Sequence, residues 1–391
     1  MEYAFETITS EQALSIRLGD TLTINGAPAR AVSVTYQSPL EPTPEISSIL
    51  LTFGWKTVKF GAGLGELSDV GAIAMADGST LFVGDPGDEH VTGGALDDGL
   101  YGGLGADTLA GLEGNDLLHG GRGDDLLIGG QGADSLYGGQ GDDIIYASDT
   151  EAGAPGDAGN FVHGNLGDDH LVGGGGDDWL YGGQGADFIA GGNGDDYLSG
   201  DLGDDELHGG LGDDSLVGGD GDDTLQGGFG ADRLGGGSGN DLLVAQGPEG
   251  AWMRGDDGDD TLVAGGAGMD TLYGGAGRDR FEIVAKSAPS AAPEAVILDW
   301  EAHDTLSFPE VGIFSSGILP PTYSEIVAGD YAHALAIANQ HISAAGAKYV
   351  AAQVGDSVVV FADTNDPSDG ADAAVFLVGR TLADIDLMNF A

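Results

Sequence analysis

The chain has 391 residues, enough for two or three ordinary domains and a sizeable core. Glycine supplies 74 of them, and 65 Asp and Glu stand against 12 Lys and Arg, for a formal charge of -53. A field of that sign repels nucleic acid and anionic lipid and points to cations as partners, while the absence of cysteine removes disulfides and thiolate metal sites.

The first stretch, MEYAFETITSEQALSIRLGD, has no basic segment followed by an apolar run and so does not read as a Sec signal peptide. No run of about 18 apolar residues follows anywhere, so no membrane insertion is expected. Residues 1–83 carry the strand patterns TLTIN, ARAVSVTYQ, SSILLTFGW, TVKFG and GSTLFVG, broken by Gly, Pro, Asn and Asp, and predict a small β domain. This segment has no histidine and no HExxH zinc site, and no GxSxG elbow occurs in the chain, so no enzyme is predicted. The long amphipathic or apolar helices that a pore-former needs are missing as well.

Residues 84–282 repeat in nines: GGLGADTLA, GLEGNDLLH, GGRGDDLLI, GGQGADSLY and onward. Position six is aspartate and position eight is Leu or Ile, from Leu109 and Leu118 through to Leu234 and Leu243. Two stretches interrupt the phase, 147–163 with Pro155 and 245–254 with Pro248, and both are expected to be loops; a single extra Ala264 precedes the last blocks. Composition alone suits a disordered acidic linker. Register decides against it, because a linker has no reason to place an apolar residue two positions after every such aspartate, whereas a strand of about three residues with one inward side chain does. The glycines then serve tight, partly left-handed turns and leave backbone carbonyls unshielded.

If successive blocks form alternate sides of a coil, position-six carboxylates stack about 4.8 Å apart. Each neighbouring pair then repels by about 0.9 kcal/mol even at the dielectric of water. The ordered state therefore needs cations between its rungs. A donor set of carboxylates and carbonyls, without His or Cys, suits calcium better than zinc or copper, and magnesium is the weaker rival because it prefers strict octahedral geometry and retained water. Calcium binding and folding are expected to be one coupled event.

The nonapeptide G-G-x-G-x-D-x-U-x resembles that of RTX (repeats-in-toxin) proteins, whose repeats are a standard example of a calcium-binding β-helix motif. The resemblance implies a predominantly all-β chain: a right-handed parallel β-roll (β-solenoid) with two blocks per turn, flanked by the small N-terminal β domain and a C-terminal α+β cap that carries a secretion signal. It also implies calcium held by position-six carboxylates and by carbonyls from positions one to four. Residue by residue, the carboxylates are Asp98, Asp107, Asp116, Asp125, Asp134, Asp143, Asp169, Asp178, Asp187, Asp196, Asp205, Asp214, Asp223, Asp232, Asp241, Asp260, Asp270 and Asp279. Asp98 follows Leu96 where glycine is expected, and Glu89 replaces aspartate in GDPGDEHVT. His119, His163, His170 and His208 fall mostly at the outward ninth position and read as surface residues rather than ligands.

Residues 283–391 return to ordinary complexity. DYAHALAIANQHISAAG predicts one amphipathic helix, followed by the strands KYVAAQV, SVVVFAD and AAVFLVG. AVILDWEAHDTLSF is similar to the segment that closes the roll in RTX proteases and lipases, with Asp299 and Asp304 as turn residues or calcium ligands. The end, DIDLMNFA, is compatible with an uncleaved C-terminal signal read by type I secretion machinery, which the resemblance implies, together with an extracellular or cell-surface location in a Gram-negative bacterium. Two classes of function remain. One is a calcium-dependent scaffold that self-associates into a surface layer, filament or matrix, through open strand edges at the roll's ends. The other is an adhesin-like module that recognises a cell-surface glycan or protein through the N-terminal domain or the insertion bearing Trp252.

Overall fold

The computed structural model describes residues 2–13, 21–24, 28–37, 48–54, 56–61, 73–148, 157–284, 293–301, 303–308, 323–345, 349–362, 371 and 373–385. Residues 149–156, with Pro155, and the C-terminal residues 386–391 lie outside this set. The chain divides into two compact units, 1–202 and 203–391.

The first unit opens with two small sheets. Thr21–Ile24 lies between Glu2–Ala4 and Ile73–Met75, all parallel, while Ser33–Gln37, Ser48–Phe53 and Lys56–Gly61 form an antiparallel meander. The front of the ARAVSVTYQ pattern is a 3-10 turn, Ala29–Ala31, set by the fixed φ of Pro28 before it. Phe5, Leu22, Ile24, Ile49, Leu51 and Phe60 fill the core, and Leu81, Val83, Tyr101 and Leu104 belong to the same cluster. The small domain and the first repeats thus share one interior. Leu81–Val83 pairs with Gly99–Leu104, and the Tyr101 hydroxyl donates to the Val32 carbonyl.

From there the repeats alternate between two parallel sheets. One holds His90–Thr92, Thr108–Glu113, Leu126–Gln131, Ile144–Ser148, His170–Gly175 and Phe188–Asn193. The other holds Leu81–Val83, Gly99–Leu104, Leu117–Arg122, Ser135–Gln140, Phe161–Leu166, Trp179–Gln184 and Tyr197–Leu202. Leu109 faces Leu127 and Leu118 faces Leu136, so two blocks make one turn of a parallel β-solenoid. The strands run to six residues rather than about three, because pairing continues through the glycines of the next block, as in Gly121 opposite Gly139. Position eight supplies the large apolar side chain of the interior: Leu109, Leu118, Leu127, Leu136, Ile145, Leu171, Leu180, Ile189 and Leu198 are fully buried.

On the outer face the rings stack from turn to turn. His119 lies 6.2 Å from Tyr101 and 5.9 Å from Tyr137, and His170 lies 4.7 Å from Phe188 with planes 6° apart. These histidines are outward, as the spacing predicts, yet they act as rungs of cross-strand ring stacks that contribute to sheet stability.

The second unit continues the pattern along two sheets. Glu206–Leu211, Thr224–Phe229, Leu242–Ala245, Thr261–Ala264, Arg280–Ile283 and Thr305–Ser307 form one; Ser215–Asp220, Arg233–Ser238, Trp252–Asp257, Asp270–Ala276 and Ala295–Ile297 begin the other. That second sheet is extended by Ala373–Leu377, Ser357–Ala362, Tyr349–Val354 and Tyr323–Ala328, and the helix Tyr331–Ala345 covers it through Ala334, Ala338 and Ile342. Helix and strands fall where the tail's periodicity predicts. Trp300 is buried against Phe281, 6.0 Å between ring centroids.

Both interruptions are shorter than the spacing suggests. Ala147 and Ser148 close the strand Ile144–Ser148, and Phe161–His163 open the next, with Val162 in the inward slot. Trp252–Arg254 likewise begin a strand, with Met253 facing Leu234 in the leucine slot and Trp252 outward and 40% exposed. Residues 245–254 are therefore one degenerate block with a single added residue, which moves the register from 18 to 19, as in Leu243 opposite Leu262. Neither segment keeps the glycines that mark a block, so pattern alone does not find them.

Candidate metal centre

All eighteen position-six aspartates are buried, 0 to 3% exposed. They stand in ladders along the sheets, with the same joint at most rungs. The N–H of one aspartate donates to Oδ1 of the aspartate one turn further on: Asp107 to Asp125, Asp125 to Asp143, and Asp169 to Asp187, at 2.7 to 2.8 Å. In the second unit Asp205 donates to Asp223, Asp223 to Asp241 and Asp241 to Asp260. The alternate ladder runs through Asp98, Asp116 and Asp134, and through Asp178 and Asp196. The joint needs an acceptor at Oδ1 but no charge.

The other oxygen is the informative one. In Asp107, Asp116, Asp125, Asp143, Asp169, Asp178, Asp223, Asp241 and Asp260, Oδ2 is buried and accepts no hydrogen bond. An orphaned buried carboxylate oxygen costs several kcal/mol unless a cation takes its electron pair. Position-one glycine provides the space beside it. A Cβ on Gly102 would strike Asp107 Oδ2 and come within 2.6 Å of the Gly120 carbonyl oxygen; one on Gly111 would strike Asp116 Oδ2 and come within 2.7 Å of the Gly129 oxygen. A carboxylate oxygen and a carbonyl oxygen from the next turn thus converge on a gap that exists only because no side chain fills it. Among the described residues no three acidic or histidine side chains gather at one point, so a cation here draws part of its shell from the backbone. Such an all-oxygen, mixed carboxylate and carbonyl set fits calcium.

Electrostatics agree with the geometry. Burial, aided by the neighbouring rungs, pushes Asp116, Asp125, Asp223 and Asp260 up to about 7. It pushes Asp143 and Asp178 up to about 8, and Asp169, Asp196, Asp241 and Asp279 to about 6. A neutral-pH fold without counter-charge therefore holds carboxylates that resist ionisation, and a bound cation removes that conflict.

Some rungs differ. Asp98 spends both oxygens on backbone donors, Oδ1 on Thr80 and Oδ2 on Gly94, at the end of its ladder. Past the first interruption Asn160 holds the rung: its Oδ1 accepts the Asp134 N–H, but its Nδ2 is a buried donor with no acceptor. Past the second, Ala251 holds a rung without any carboxylate and donates its N–H to Asp270 Oδ1. Asp304 ends a ladder by accepting the Asp279 N–H at Oδ1 and the Glu301 N–H at Oδ2, and Asp299 accepts from Gly274 and Gly275. Both tail aspartates have turn and capping partners.

A second, outer ladder escaped the sequence reading. At position five Asp124 Oδ1 accepts the Asp142 N–H, Asp142 Oδ1 the Asp168 N–H, and Asn115 Oδ1 the Ala133 N–H. These side chains are more exposed, and an amide does the same work. The frequent Asp or Asn before the position-six aspartate was the available signal.

A scan of protein families matches the RTX calcium-binding nonapeptide repeat (4 copies) at residues 83–118, 119–149, 155–189, 172–207, 181–216, 208–243 and 254–282. Comparison with the curated proteins finds no match. Among solved structures, the crystal structure of the extracellular lipase LipA from Serratia marcescens is 17% identical across 64% of this chain and 44% of that one, with a TM-score of 0.19. Less than half of that lipase is matched, and the likeness carries no activity across. Through residues 83–282, with their nine-residue period, buried aspartate ladders and parallel β-solenoid, the chain belongs to the RTX calcium-binding repeat family.

Proposed function

We propose that this is a secreted calcium-binding scaffold that folds when it meets calcium, with the position-six aspartates and the position-one carbonyls of the following turn as ligands. The observation that carries the reading is the column of buried Oδ2 atoms without hydrogen-bond partners, aimed at gaps left by glycine. RTX repeats are typical of secreted proteins, and modest-affinity sites fill only where calcium approaches millimolar. A C-terminal signal read by type I secretion machinery completes the proposal. The repeats of this family are mostly non-catalytic, and a non-enzymatic role is the simplest reading of the motif search.

Self-association of the folded form is supported by apolar side chains left outward on the repeats: in the second unit Leu211 and Phe229 face each other on adjacent strands at 51% and 61% exposed. The strand edges at the roll's ends support it less, since Leu81–Val83 is packed into the N-terminal core and Ala295–Ile297 is extended by the C-terminal sheet. The adhesin reading has its own support in a groove of about 430 Å³ lined by Val34, Thr35, Tyr101, His119 and Arg122, where residues of the N-terminal domain meet the ring stack. Circular dichroism with and without calcium tests the folding step, and sedimentation of the calcium-loaded chain separates the two readings. Concentration-dependent polymers favour the scaffold; a monomer that retains glycans on an array favours the adhesin. A chain with the same β spectrum in chelator and in calcium refutes both.

A further inference from the structure

On one sheet of the first unit, position two of the repeat is glycine at Gly103, Gly121, Gly139 and Gly183, each at positive φ. It is Asn165, at φ 83°, and Asp201, at φ 73°, on the strands to either side of Gly183. Glycine enters that region freely and a side chain does not, so two exceptions flanking one turn are a departure that the roll itself does not need. Both side chains are held in place: Asn165 Nδ2 donates to the His163 carbonyl at 3.1 Å, and Asp201 Oδ1 accepts the Ser199 hydroxyl at 2.7 Å. These bonds leave Asn165 Oδ1 and Asp201 Oδ2 as acceptors on either side of Gly183, which puts no side chain between them. At position seven the same three strands carry Phe161, Trp179 and Tyr197. Trp179 is 56% exposed and lies 6.0 Å from Tyr197, while Tyr181, between this row and Gly183, lies 5.7 Å from Phe161 and 5.6 Å from Tyr197. Tilts of 38 to 48° keep these rings from closing face to face, so Trp179 presents ring surface outward. Three strands about 4.8 Å apart and a run of about 3.3 Å per residue make a face of about 10 by 13 Å, aromatic at one end and oxygen-lined at the other.

We infer that this face binds a neutral oligosaccharide, with one sugar ring on Trp179 and Tyr181 and the hydroxyls of the next donating to Asn165 Oδ1 and Asp201 Oδ2. The electron-rich ring faces attract the C–H side of a sugar, and acceptors already fixed by their own hydrogen bonds meet its hydroxyls at little cost in ordering. No Lys or Arg occupies positions seven, nine or two of these strands, and a chain of net charge -53 repels uronates and sulfated sugars, which selects neutral ones. The inference rests on the glycan-binding alternative and gives it a ligand class and a place on the repeats, apart from the groove beside Tyr101.

The test is retention of neutral and acidic oligosaccharides on a glycan array by the calcium-loaded full chain and by its variants Trp179→Ala and Asp201→Gly, with urea unfolding of each. Wild type is expected to retain neutral oligosaccharides of two or more hexose units, and each variant to lose about tenfold in affinity. Asp201→Gly restores the glycine of the repeat and unfolds at an equal or higher urea concentration; lost binding without lost stability is a result that a structural role for Asp201 cannot give. Unchanged retention by both variants overturns the site and leaves the glycan reading standing, in the groove beside Tyr101. Retention of uronates alone overturns the neutral ligand. A chain that folds with calcium yet retains no sugar overturns this site and the glycan reading together, with the calcium scaffold intact; if Trp179→Ala then also abolishes its polymers in sedimentation, the face is a contact between copies. Should Asp201→Gly fail to fold, Trp179→Ala, changed at an exposed side chain, decides alone.

Discussion

Asp143→Asn separates the two oxygens of one rung. Asn keeps an acceptor for the Asp125 N–H, now 2.8 Å from Oδ1, and replaces the buried, unpartnered Oδ2 by an amide nitrogen. The fold tolerates that exchange, since Asn160 already occupies such a rung. Without calcium the substitution removes repulsion from Asp125 and Asp169, the neighbours that raise the Asp143 carboxyl after burial itself. At a spacing of about 4.8 Å and the dielectric of water, two such pairs amount to about 2 kcal/mol, and to more where solvent is excluded. With calcium the same change deletes a charged ligand, and about a tenfold loss of affinity at that site corresponds to about 1.4 kcal/mol. The sign therefore reverses: in chelator with a stabilising osmolyte the variant gains β signal over wild type, while in a calcium titration followed by circular dichroism its midpoint moves to higher calcium. Asp142→Asn, one residue earlier, is the control and shifts both less, because it keeps the Oδ1 acceptor and touches the ladder only through its charge near Asp169. A variant that loses β signal equally in both conditions, or shifts neither, refutes the division of labour between the two oxygens.

Without calcium, stability depends on pH with a definite sign. The folded carboxylates lie at about 6 to 8, above the ordinary aspartate value of 3.8, so their contribution is fully present below about 4 and is lost as pH rises through 6 to 8; chelated protein shows more β signal at pH 5 than at pH 8, and calcium uptake at pH 7 releases protons measurable by pH-stat. Gly111→Ala drives a methyl into Asp116 Oδ2 and the Gly129 carbonyl, and destabilises the calcium-loaded chain by about 1–3 kcal/mol in urea unfolding. Leu180→Ala leaves a cavity in a fully buried slot, at a cost of about 2–5 kcal/mol by the same measurement. Leu112 sits at φ 84° where its repeat neighbours have glycine, so Leu112→Gly stabilises the loaded form by about 1 kcal/mol.

What the sequence revealed and what it hid divide along one line. Position six and position eight were legible because each has one physical job at every turn, and only a carboxylate or a large aliphatic group does it. Val162 and Met253 do the same inward job, but their blocks lost the glycines that announce the phase. The rungs at Asn160 and Ala251 were hidden for the same reason, and only pairing across the sheet restores their register. The outer ladder was obscured by chemistry rather than spacing. Its joint is a backbone N–H to one side-chain oxygen, so Asp and Asn interchange, and Ala106 and Ala133 donate an N–H while offering no side-chain acceptor of their own. The closing strands and helix of the tail were readable from ordinary amphipathic periodicity, because there packing rather than ion binding selects the residues.

The inner joint has a direction. Each aspartate shields the amide of the turn nearer the N-terminus and leaves its own amide waiting for the turn beyond. A stack that lengthens toward the N-terminus offers every arriving turn a ready acceptor, whereas one that lengthens the other way must expose a bare donor at its tip until the next turn lands. Assembly along these repeats is therefore a one-way ratchet, favouring chains whose C-terminal end is free to order first.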